Sequence, residues 1–69
     1  MKFQVTVQPV YGEVVRYKRE RISEVRSLVS EIKHNGGADV IWVDQGKWTI
    51  ARFVHSRDGW LGPETIRPL

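Results

Sequence analysis

Phe3, Val5 and Val7 alternate with Lys2, Gln4, Thr6 and Gln8. This period of two predicts a strand with one apolar side turned to a core. Pro9 removes a backbone donor and Gly12 permits a tight bend, so residues 9–13 read as a connection to a second strand. In that second strand Val15 and Tyr17 face inward and Arg16 and Lys18 face solvent, although the run Lys18 to Arg21 equally fits the start of a helix. Val25, Leu28, Val29 and Ile32 then recur at i, i+3, i+4 and i+7, the stripe of an amphipathic helix. Ser23 is the expected N-cap, Glu24 puts negative charge in the first turn, and Lys33 and His34 put positive charge in the last. Asn35-Gly36-Gly37 tolerates the left-handed backbone that ends a helix.

Val40 to Val43 and Trp48 to Val54 are rich in β-branched and aromatic residues and flank Asp44-Gln45-Gly46-Lys47, which predicts a hairpin. With Gln45-Gly46 as a two-residue loop, Asp44 pairs with Lys47, Val43 with Trp48, Ile41 with Ile50 and Asp39 with Arg52. Two opposite-charge pairs favour that register. A three-residue loop with Gly46 in a bulge instead pairs Trp42 with Trp48 and exchanges which of Ile41 and Trp42 faces the helix.

The elements follow the order ββαββ. They define a small α+β fold, a four-stranded, mainly antiparallel sheet in the order 2-1-3-4 with one helix on one face. The whole chain, residues 1–69, is expected to be one domain, with an ordered core over about 2–55 and a C-terminal tail over 56–69. Ser56-Arg57-Asp58-Gly59 reads as a turn; beyond it Trp60 and Leu61 either pack back on the sheet or wait for a partner. Strand four then lies at a sheet edge guarded only by its lysine and arginine, so a symmetric homodimer through that edge is the expectation. The alternative is a monomer whose segment Thr65-Ile66-Arg67 occupies the edge or the open face.

Size sharpens this picture. A chain of 69 residues buries only about 60% of its unfolded surface, and with no cysteine neither disulfides nor a thiolate metal cage can reinforce the core. The longest apolar run, Val40 to Val43, is far short of a membrane span, and the alternating N-terminus lacks the continuous apolar stretch of a secretory signal. A cytoplasmic protein with no membrane contact is expected. The net charge is +3, and residues 39–69 hold four basic and four acidic side chains, so the excess lies in the first half. There Arg16, Lys18, Arg19, Arg21 and Arg26 outnumber Glu20 and Glu24.

Candidate chemistry is thin. His34 and His55 each stand apart from any second histidine or acid at metal-ligand spacing, and Gly36-Gly37 comes after the helix, where it cannot cradle a phosphate at a helix N-terminus. Neither enzymatic activity nor a cofactor or metal is expected. Three tryptophans under a single helix are the more informative feature, because one sheet face has no cover. In the preferred register Val40, Trp42, Ala51 and Phe53 share that face, edged by Lys47 and His55, unless Trp60 folds across it. The resulting expectation is a non-catalytic module that binds a protein target through Trp42, Phe53 and Trp60, in the manner of a small bacterial or phage accessory protein that inhibits or modulates a larger partner. The alternative is a nucleic-acid surface built on Arg16, Lys18, Arg19, Arg21 and Arg26.

Overall fold

The structure, a computed structural model, describes residues 2–64. Within it the expected alternation is realised as β1 (Phe3–Pro9) and β2 (Val15–Arg19), the helical stripe as α1 (Ile22–Asn35), and the hairpin as β3 (Ala38–Gln45) and β4 (Trp48–Ser56). A fifth strand comes next, β5 (Gly59–Glu64). All neighbours are antiparallel, in the order β2-β1-β3-β4-β5. The expected α+β class and the order of the first four strands hold. The expected count of four strands does not, because the chain after His55 does not leave the sheet. Ser56 pairs with Gly59 across the turn Arg57-Asp58, Ser56 Oγ donates to the Gly59 carbonyl at 2.8 Å, and His55 and Val54 continue the ladder opposite Trp60 and Leu61. The boundary expected near residue 56 therefore divides a hairpin. β4 is an interior strand, which takes away the free edge on which the homodimer was argued. Thr65-Ile66-Arg67, the segment assigned to that edge in the monomer alternative, lies outside the described residues.

The core is the helix-side stripe of two central strands. Phe3, Val5 and Val7 of β1, Ala38, Ile41 and Val43 of β3 and Val25 and Val29 of α1 are buried, Ile41 and Val5 completely. Leu28 and Ile32 complete the helical stripe as half-buried residues packed against that cluster. Tyr17 joins it opposite Val5, and Arg16 and Lys18 alternate to the other face, as the period of β2 requires.

Two local details differ from expectation. The helix begins before Ser23: Arg21 occupies the N-cap with an extended backbone, its carbonyl accepts from the amides of Glu24 and Val25, both at 3.1 Å, and no side chain caps the end. A cation thus sits where the helix dipole favours an anion. Arg21→Asp is expected to stabilise the fold by about 0.5–2 kcal/mol, because it supplies the missing acceptor and reverses the charge. A thermal melt followed by circular dichroism should rise by several degrees; an unchanged or lower midpoint would show that Arg21 is held by something other than its backbone. At the other end Gly36 has φ 76° and ψ −176°, a combination that side chains other than hydrogen strongly resist, and its amide donates to Ile32.

The hairpin register is the second difference. The turn is Gly46-Lys47, so Gln45 pairs with Trp48 and Asp44 with Thr49; beyond a bulge, Val43 pairs with Ala51, Trp42 with Arg52 and Ile41 with Phe53. Gly46 at φ 60° followed by a residue of negative φ matches the φ pattern of a II′ turn, which takes glycine first. Neither expected charge pair forms its rung. The Thr49 hydroxyl instead donates to the Asp44 carboxylate, and Arg52 stands opposite Trp42. The extra residue in the bulge reverses which side of β4 faces the helix, since side chains alternate with a period of two. Ala51 and Phe53 consequently leave the face on which they were expected and join the helix side, packed against the core.

Candidate functional site

One helix cannot cover five strands. Strands about 4.8 Å apart make a sheet about 20 Å across, and a helix is about 10 Å in diameter. Among the described residues α1 packs mainly on β1, β3 and β2 and covers the helix-side surface of β4 and β5 only in part, so that Ile50, Ala51, Phe53 and Trp60 are half-buried. Between α1 and β4 lies a groove of about 370 Å³ with Val43, Ile50, Ala51 and Phe53 in its floor and Ile22, Val25, Arg26, Val29, Ser30 and Lys33 along its α1 wall. Ile50 is the bulged residue, and the bulge lets Ala51 and Phe53 share the floor with it. At the β5 end Trp60 packs against the core cluster and meets the His55 ring at a tilt of 53°, with ring centres 5.1 Å apart. The Lys33 ammonium lies 3.9 Å from the centre of the Phe53 ring and 5.8 Å from that of Trp60, a cation–π arrangement that places positive charge over the groove's aromatic end. Ile22 is 45% exposed, and Trp48, at the hairpin end and within 6.0 Å of the Lys47 ammonium, is 49% exposed.

The three tryptophan and phenylalanine anchors expected to share a surface are therefore divided. Phe53 and Trp60 stand together on the groove side, and Trp42 stands on the opposite, helix-free face. On that face the register sets Arg16, Thr6, Trp42 and Arg52 in one row across four strands, and Gln8, Val40, Val54 and Leu61 in another. Leu61 is 59% exposed.

The five cations of the basic run are dispersed as well. Arg16 and Lys18 lie on the Trp42 face. Arg19 sits over the Tyr17 ring at 5.8 Å and lines a shallow depression with Ser23, Glu24, Ser27, Leu28 and Glu31 on the other flank of α1. Arg21 is the N-cap and Arg26 belongs to the groove. Sequence reasoning treated Arg26 and Lys33 as parts of a charge run and a helix end. Ile22, Arg26 and Lys33 are nevertheless spaced at i, i+4 and i+11, a stripe beside the core stripe, and that spacing was the available signal. For Ile50 the signal was the expected register itself, which set it opposite Ile41 and therefore on the helix side.

His34 and His55 are exposed. Among the described residues no three His, Cys, Asp or Glu side chains come together as a metal site, and no helix is long and apolar enough to cross a membrane. Comparison of the chain with family models, curated proteins and solved structures finds no match.

Proposed function

We propose that the chain is a non-catalytic protein-binding module whose contact surface is the groove between α1 and β4, with Phe53, Ile50 and Trp60 as its anchors. The observation that carries this reading is the apolar groove beside α1, floored by the half-buried Ile50, Ala51 and Phe53. Apolar surface of this kind gains when a partner removes it from water, and aromatic anchors at the centre of such a patch carry a large share of binding energy. Modulation of a larger target fits a surface that recognises without reacting.

The nucleic-acid alternative has weaker support, since only Arg16 and Lys18 of the five expected cations share the Trp42 face. One experiment separates the two. Capture of partners from source-cell extract, with and without nuclease, is compared for the full chain, Phe53→Ala, Ile50→Ser and Trp42→Ala, each checked for fold by circular dichroism. The groove reading expects nuclease-resistant capture, reduced about tenfold or more by Phe53→Ala and Ile50→Ser and kept by Trp42→Ala. Capture abolished by nuclease, or unaffected by the two groove variants, overturns it.

A further inference from the structure

We propose that the occupant of this groove is an amphipathic helix of a partner protein with acidic residues along the flank that faces α1, an inference that rests on the groove reading and adds the chemistry of what fills it. The width of the site supports a helix. The groove opens beside α1 over β4, and from there to the β5 edge the sheet extends about two strand spacings, or about 10 Å, which is one helix diameter; α1 already shows how a helix packs on the adjoining strands. A partner lying beside α1 would complete a helical layer over the sheet, with an apolar ridge on Ile50, Ala51 and Phe53.

Charge supports an acidic flank. Arg26 and Lys33 both line the groove from α1, seven residues apart and therefore about 10.5 Å along one side of the helix, and among the described residues no acidic one lines it. The glutamates Glu24 and Glu31 lie along the opposite flank. Carboxylates two turns apart on an incoming helix would face both cations, while a basic helix would meet like charge at both. The same arrangement disfavours a second copy of this chain, whose α1 would present Arg26 and Lys33 to their own counterparts. Strand addition is disfavoured at the neighbouring edge, because β5 contains Pro63, which has no amide to donate, and Gly62.

The test uses the full chain and two synthetic helical peptides of about eighteen residues, long enough to lie along α1. Both carry leucine at helical a and d spacing; one has glutamate and the other lysine along one flank, seven residues apart. Binding is followed by tryptophan fluorescence and by amide chemical shifts. The expected result is binding of the glutamate peptide at least tenfold tighter than the lysine peptide, with shifts centred on Ser30, Ile50, Ala51 and Phe53. Arg26→Glu with Lys33→Glu should reverse the preference. Arg26 is exposed, so Arg26→Glu alone keeps the test alive if the double variant does not fold, and it should narrow the preference. Absence of binding, equal binding of both peptides, a preference that survives charge reversal, or shifts on the Trp42 face would each overturn the acidic helix. A concentration-dependent dimer whose dissociation moves the same groove amides would overturn it in favour of a second copy. These outcomes are separate from the capture experiment: if Phe53→Ala and Ile50→Ser still abolish capture while the peptides fail, the groove stands and its occupant is something else.

Discussion

Ile41→Ala is expected to lower the thermal midpoint by about 10 °C or more and to leave much of the chain unfolded at 37 °C. Ile41 is fully buried on β3, between β1 and β4, at the centre of the apolar cluster. Truncation there removes transfer energy and leaves a cavity that the flanking strands cannot close, at a cost of about 2–5 kcal/mol. A chain of this size holds about 3–10 kcal/mol in total, so one side chain removes much of the margin. Ile41→Val, which deletes a single methylene, should cost about 0.5–1.5 kcal/mol and remain folded. Urea and thermal unfolding followed by circular dichroism check both. A shift of less than about 3 °C for Ile41→Ala would mean that the core is not centred on β3.

Deleting β5 should have the second large effect. A chain ending at Asp58 loses the partner of Arg52, Val54, His55 and Ser56 and turns β4 into an edge. Over Trp48–Ser56 that edge would carry mostly β-forming residues, with Arg52 as its one permanent charge, and such edges pair with whatever strand is offered. Loss of Trp60 also uncovers one end of the core cluster. The truncated chain should melt earlier than the full chain and should associate as its concentration rises through the micromolar range, read by light scattering. A truncated chain that keeps the midpoint and the mass of the full chain would show that β5 contributes nothing to the sheet. Among the described residues the two edges are β2, guarded by Arg16, Lys18 and Arg19, and β5, which contains Pro63.

The alternation around Phe3, Val5 and Val7 and the helical stripe of Val25, Leu28, Val29 and Ile32 were legible because each is set by a local period, two residues for a strand and 3.6 for a helix. Those periods named the buried faces correctly and, with the short connections, yielded the order of the first four strands. The glycines after Asn35 marked the helix end for the same local reason: only glycine takes that backbone easily. The Gly59 turn was legible too, but the strand beyond it was not. Trp60-Leu61-Gly62-Pro63 has no clean alternation and contains residues that weaken a strand, and it becomes β5 because β4 offers it unpaired amides and carbonyls.

The site was less legible than the fold, and the hairpin shows why. Phe53 and Trp60 were named as binding residues with Trp42, but their common surface depended on register. A turn at Gly46-Lys47 and a single bulged residue reversed the face of β4. Pairing a bulge with a turn is a tertiary choice: it places Ile50, Ala51 and Phe53 against the core, and apolar burial there outweighs the two surface charge pairs that favoured the other register. The sequence by itself determined where the first four strands and the helix form, which faces of β1, β3 and α1 are buried, and that one helix is too few for the sheet. Only the tertiary structure decided that the unmet apolar surface lies beside α1, with Arg26 and Lys33 at its rim, because that depends on long-range pairing whose parity no local pattern encodes.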